Sequence, residues 1–307
     1  MLLDSLLDFP IYREEITMPY ATARDGTQLY YESTGRGTPL VFVHEFSGDH
    51  RSWEAQLRYF SRRYQCVAFN SRGYPPSEVP KAAAKYSQRI VVDDIADLMR
   101  QLKLGKSHVV GCSMGAASAL NFGVRYTSRA RSITSVGAGA GSHPQLRRAF
   151  LLGTEANARR FETLGMPRAA RTGSIAAGRV AQSLKDPRGY AEFQRYNEEH
   201  SATGLANTQR GVQAKRPTIY QLGPKLKKTK LPLFIIAGDE DDNCVEPGVF
   251  LKQTCPNARL WICPSTGHTV NTEEPALFNL MLSEFLQQVD TGRWRPRDPR
   301  SVLLKPR

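Results

Sequence analysis

The stretch Ser107–Gly115, SHVVGCSMG, decides how the rest of the chain is read. It opens as a short apolar run, the pattern of a strand buried on both faces. It ends in G-x-S-x-G at Gly111–Gly115, and the next residues, Met114–Tyr126, are rich in Ala and Ser and read as a helix. A tight turn from strand to helix holds its central residue at strained backbone angles and tolerates only small neighbours, which Gly111 and Gly115 provide. Such a turn lifts Ser113 Oγ above the carboxyl end of a sheet. It also aims a helix N-terminus, with its partial positive charge, at the place where an oxyanion would develop. Ser113 is therefore the candidate nucleophile.

Working outward, the chain alternates β-rich runs with helical stretches. Strands are expected at Thr27–Thr34, Pro39–His44, Gln65–Asn70, Ser107–Cys112, Ala130–Ala138, Leu231–Gly238 and Ala258–Cys263. Helices are expected at Ser52–Phe60, Ser87–Leu102, Met114–Tyr126, Glu246–Thr254 and Thr272–Val289. This alternation argues for an α/β protein with a mostly parallel, doubly wound sheet covered on both faces. The rhythm breaks over residues 140–230, which hold no convincing apolar strand and are too long for a loop. They are expected to form a helical cap, ending in the basic linker KLKKTK, inserted into a core made of residues 1–139 and 231–307.

At 307 residues the chain is one large domain or a core with an insertion, and it can bury a core without metal or disulfide staples. With 40% hydrophobic and 23% charged residues it is neither collagenous, coiled-coil nor disordered. No run of 18 apolar residues suggests a membrane span. The N-terminal MLLDSLLDFPIYREE is a poor secretory signal, because Asp4 and Asp8 interrupt it and no basic residues precede them. A cytoplasmic protein is expected, and in that redox setting the odd set Cys66, Cys112, Cys244, Cys255 and Cys263, with no CxxC pair, reads as free thiols. The formal charge of +13 is scattered; residues 141–224 hold 13 Lys/Arg against 6 Asp/Glu. No helix-turn-helix, zinc or stacking motif accompanies it, so neither nucleic acid nor membrane is expected as a partner. A homodimer is compatible with the sequence.

A serine needs a base to take its proton. Of the six histidines, His268 sits in the loop PSTGHT after the last strand, where it can reach Ser113. His108 begins the nucleophile strand at the far edge, His143 and His200 fall in the expected cap, and His44 belongs to the loop after an earlier strand. An orienting acid is expected after the strand Leu231–Gly238, where GDEDDN offers Asp239, Glu240, Asp241 and Asp242. Order along the chain does not choose among them. One oxyanion donor is expected from the Met114 N–H, and the other from HEFSG (His44–Gly48), with Phe46 N–H the choice.

Taken together, VFVHEF, FNSRGYPPS, VVGCSMG, IIAGDED and PSTGHTVNTEEP resemble the α/β-hydrolase superfamily over nearly the whole chain. The family's G-x-x-D pattern carries its acid to Asp241. Where the family has His-Gly at the oxyanion loop this chain has His44-Glu45, and Glu45 is expected to face solvent. Ser113 in place of Asp argues against the dehalogenase and epoxide-hydrolase branches. Thr269 after His268, rather than an aromatic residue, separates the chain from hydrolases of ring-cleavage products. The resemblance implies ester or lactone hydrolysis of a small molecule by an esterase or enol-lactonase-like enzyme, with no metal or organic cofactor. Carbon–carbon hydrolysis, acyl transfer to another acceptor, and slow-turnover ligand binding on the same fold remain the alternatives. The Arg content of the cap raises the idea of a carboxylate-bearing substrate.

Overall fold

The structure is a computed structural model that describes residues 19–302; the N-terminal stretch weighed as a secretory signal lies outside them. Eight strands form one sheet: β1 (Tyr20–Thr22), β2 (Gln28–Thr34), β3 (Thr38–Val43), β4 (Tyr64–Phe69), β5 (Ser107–Cys112), β6 (Ala130–Val136), β7 (Leu233–Gly238) and β8 (Ala258–Cys263). Their order across the sheet is β1-β2-β4-β3-β5-β6-β7-β8. β1 and β2 run antiparallel to their neighbours, and β3 to β8 are mutually parallel.

The apolar strands are explained by two buried faces. In β3, Leu40 and Phe42 join one cluster, while Val41 and Val43 join the other. Helices α1 (Glu54–Phe60), α2 (Gln88–Gln101) and α3 (Met114–Arg125) follow β3, β4 and β5. α2 and α3 cover the face of Val41 through Ile95, Leu98 and Leu120, and α1 covers the other through Leu57 and Phe60. Ser87 caps α2 by accepting from Ile90 N–H, which is why that helix starts where its apolar periodicity does.

Between β6 and β7 the described chain is helical: α4 (Pro144–Arg171), α5 (Val180–Lys185), α6 (Pro187–Glu198), α7 (Ala202–Thr208), a π-helical turn (Gln209–Gln213) and α8 (Ile219–Leu226). α4 bends at Gly165, whose φ of 69° is left-handed, two residues before Pro167. The remaining helices are α9 (Asp242–Thr254), α10 (Val270–Glu273) and α11 (Pro275–Asp290). The helix expected over Thr272–Val289 is thus interrupted. Pro275 restarts it at its first position, and Glu274 before the proline takes non-helical angles. α9 begins four residues before the expected Glu246.

No helix among the described residues is long and apolar enough to cross a membrane. All five cysteines are buried and free. The sheet positions the site: from β3 the chain steps to β4 on one side, then returns past β3 to β5 on the other. This reversal opens a crevice beyond the carboxyl ends of β3 and β5, the place where open α/β sheets bind ligands.

Candidate active site

Ser113 lies between β5 and α3 with φ 53° and ψ −108°, one of three non-glycine residues with positive φ among the described residues. A Cβ on Gly111 would collide with the Gly115 carbonyl, and one on Gly115 would collide with the Val43 carbonyl of β3. The two glycines therefore allow the turn to close and α3 to sit against β3. Ser113 N–H donates to Val136 O at 2.7 Å, tying the turn to β6.

His268 Nε2 lies 2.7 Å from Ser113 Oγ, and His268 Nδ1 lies 2.6 Å from Asp241 Oδ2. Asp241 is buried, which alone would raise its pKa. The facing His268, through its charge and its hydrogen bond, and Cys244 outweigh that and hold the carboxyl below its ordinary value. The other acids of GDEDDN are placed differently. Glu240 and Asp242 are exposed, and Asp239 Oδ1 accepts from Thr266 N–H at 3.0 Å. Asp239 is one of three groups that hold successive N–H groups of the histidine loop. The Glu273 carboxylate accepts from Gly267 N–H at 3.0 Å, and Gly178 O accepts from His268 N–H at 2.7 Å.

The loop after β3, His44–Gly48, is held in a complementary way, by its carbonyls. Glu45 O accepts from His44 Nδ1 at 2.7 Å, Phe46 O from Tyr74 Oη at 2.8 Å, and Ser47 O from His200 Nε2 at 3.2 Å. His44 Nε2 in turn accepts from Ser71 N–H at 3.0 Å, which fixes its neutral tautomer. A trans peptide sets its N–H opposite the preceding carbonyl, so the Phe46 N–H points away from the His44 ring. Phe46, Ser113, Asp241 and His268 line one cleft of about 460 Å³. Met114 is buried and packs in one cluster with Tyr74 and Phe161, of which Phe161 also lines the cleft.

Glu45 corrects the expectation of a solvent-facing side chain. It is 2% exposed, and its Oε1 accepts from Arg179 Nη2 at 2.9 Å and from Ser52 Oγ at 3.2 Å. Arg179, itself buried, also donates to Thr269 Oγ1 at 3.0 Å and stacks on the Phe193 ring at 3.9 Å. One guanidinium from residues 140–230 thus joins the loop after β3 to the residue after His268. The departure from glycine at HEF was visible in the sequence, but neither the burial of Glu45 nor its partner, 134 residues away, was.

Among the described residues, one group of side chains has metal-ligand character: Asp241, Cys244 and His268. Burial pushes the Cys244 thiol well above its ordinary pKa, so it is a neutral thiol, and Asp241 and His268 already satisfy each other. That donor set suits a hydrogen-bonded relay better than a cation.

Residues 38–275 match the family model described as alpha/beta hydrolase fold. The chain is 24% identical over 284 residues to a protein of Bacillus subtilis (strain 168) provisionally named 2-succinyl-6-hydroxy-2,4-cyclohexadiene-1-carboxylate synthase, covering 87% of this chain and 98% of that one. It is also 24% identical over 284 residues to 3-oxoadipate enol-lactonase 1 of Acinetobacter baylyi, covering 90% of this chain and 99% of that one. The solved structure of a thermophilic esterase from Thermogutta terrifontis superposes with a TM-score of 0.78 at 23% identity, covering 88% of this chain and 98% of that one. With the family model spanning most of the sheet and all the loops described above, the chain belongs to the alpha/beta hydrolase family.

Proposed function

We propose that this enzyme hydrolyses a carboxylic ester or lactone of a small molecule through an acyl-enzyme on Ser113. One observation carries the reading: the unbroken relay from Ser113 Oγ through the His268 imidazole to Asp241, at 2.7 and 2.6 Å, in a cleft large enough for a substrate. In this reading Ser113 attacks the carbonyl carbon as His268 Nε2 takes its proton. Asp241 accepts from Nδ1–H, which keeps the tautomer correct and stabilises the imidazolium. The N–H groups of Phe46 and Met114 hold the tetrahedral oxyanion; loss of one such donor typically raises the barrier by ~2.7–4 kcal/mol. His268 returns the proton to the leaving alcohol, and water activated by the same base releases the acid. Residues 140–230 act as a cap that closes the cleft over the sheet edge; the bond from His268 N–H to Gly178 O and the Arg179–Glu45 pair support that role. No step calls on a metal or organic cofactor.

Thr269 is buried against Arg179, so no side chain at that position offers the aromatic wall expected of a carbon–carbon hydrolase. Turnover of p-nitrophenyl acetate and butyrate tests the reading. The wild type should turn over repeatedly, and Ser113→Ala should lose at least about 10⁴-fold in kcat/KM while staying folded. Retained turnover in that variant would reject the nucleophile, and added alcohols or amines would reveal acyl transfer as mixed products.

A further inference from the structure

Among the polar side chains that line the cleft are the carboxamides Gln209 and Asn197. Gln209 is 5% exposed overall and lines the cleft, and its side-chain amide, which pairs with no other side chain among the described residues, keeps its polar atoms accessible. It opens the π-helical turn Gln209–Gln213, a winding frequent at functional sites. Across the cleft on α6, Asn197 Oδ1 is occluded and also unpartnered. Buried polar groups are normally satisfied, so unpartnered amides on the wall of a concave site are open to hydrogen bonds from a ligand. An orphaned amide oxygen needs a donor, whereas a carboxamide such as Gln209 both donates and accepts.

A carboxylate-bearing substrate fits less well, because all but one of the guanidiniums in and around the cleft already pair with carboxylates. Arg171 pairs with Glu198, Arg179 with Glu45, and Arg210 with Glu155 and Glu162. Arg160, also on the cleft wall, donates to the neutral Ala169 carbonyl and forms no ion pair among the described residues, so it is the one cation of the lining that a carboxylate would meet. The opposite wall is apolar, with Phe46 and Phe161 stacked at 6.2 Å.

We propose that Gln209 and Asn197 form a specificity subsite for a neutral substituent that both donates and accepts a hydrogen bond, an amide or a hydroxyl, carried by the ester or lactone. The subsite rests on the acyl-transfer reading of Ser113 and names the substrate class of that same cleft. A site built to hydrogen-bond a substrate rejects the analogue that lacks the group, because its own polar atoms are then left unpaired.

The test compares matched esters. On the acyl side, p-nitrophenyl N-acetyl-β-alaninate is set against p-nitrophenyl hexanoate and the p-nitrophenyl monoester of glutaric acid. On the alcohol side, the butyrate ester of N-acetylethanolamine is set against pentyl butyrate. The wild type should favour the amide in at least one series by about tenfold or more in kcat/KM. Gln209→Met, which keeps the length but loses both polar groups, and Asn197→Leu should each lower that ratio by about tenfold. Labelling of Ser113 by a fluorophosphonate at the wild-type rate shows that each variant keeps its site, and Gln209→Leu serves if the Met variant fails to label. Ratios near one in both series, ratios unchanged in the variants, or a preference for the glutarate monoester would overturn the subsite while leaving the ester reading intact. A wild-type protein that neither labels nor cleaves any of these esters would instead overturn the acyl-transfer reading, and the subsite with it.

Discussion

Ser113 holds a backbone conformation that costs a non-glycine residue about 1–3 kcal/mol, and the surrounding contacts keep it there. That strain places its hydroxyl at the imidazole rather than in the helix. The division of labour among the acids of GDEDDN follows from where each carboxylate ends up. Asp241→Asn keeps the shape but offers His268 the wrong hydrogen-bonding partner, so kcat for p-nitrophenyl butyrate should fall by about 10⁴-fold with circular dichroism unchanged. Asp239→Asn, which only loosens the Thr266 N–H bond, should lose less than about tenfold. The reverse ranking would move the acid to Asp239. That Ser113 and His268 would meet was legible in the sequence, because each sits at a strand end in a recognisable local context. Asp241 needed the family pattern to separate it from three neighbouring acids. Glu45 was misread because its burial depends on Arg179, a residue that no local pattern connects to it.

At the scale of elements, the site is two loops held from several sides. The loop after β3 is fixed by its carbonyls and the histidine loop by its N–H groups, and the Ala177–Arg179 turn touches both. The Arg179–Glu45 pair joins them in a dry setting, where removing one partner leaves a buried charge uncompensated. Arg179→Met should therefore destabilise the protein by about 3–5 kcal/mol in urea unfolding. Adding Glu45→Gln should recover part of that loss, because the stranded charge is gone. Strictly additive losses would mean that the two residues do not act as a pair. Helix and strand positions were largely visible in the periodicity. What periodicity could not show was the break at Pro275, the early start of α9 and the three-residue β1, which pairs antiparallel with β2 at the sheet edge.

Across the whole molecule, the reversal of strand order between β3 and β5 gathers residues 46, 113, 241 and 268 at one edge of the sheet. The order itself was not readable from the chain, because register between distant strands leaves no local trace. The fold also buries histidines in neutral form. Burial drives His200 down to about 4, with Asp49 and the Ser47 carbonyl opposing and His44 and Arg51 assisting, and it lowers His44 and His108 as well. An unfolded histidine takes up its proton near 6.5. Between that value and about 4 the unfolded chain binds more protons, so stability is complete above the upper value and is lost as pH falls through the window. For His200 alone this amounts to about 3 kcal/mol when fully developed. The urea midpoint should drop between pH 7 and pH 5, and His200→Gln should flatten the decline; a level midpoint in the wild type would contradict the neutral burial. The central claim is that one hydroxyl, at residue 113, is made nucleophilic by an imidazole supplied from a distant loop. Its most direct test is peptide mapping by mass spectrometry after reaction with a fluorophosphonate. The account predicts a single adduct on Ser113, absent from Ser113→Ala and formed far more slowly in His268→Ala. An adduct on another residue, or labelling of Ser113 at an undiminished rate without His268, would contradict it.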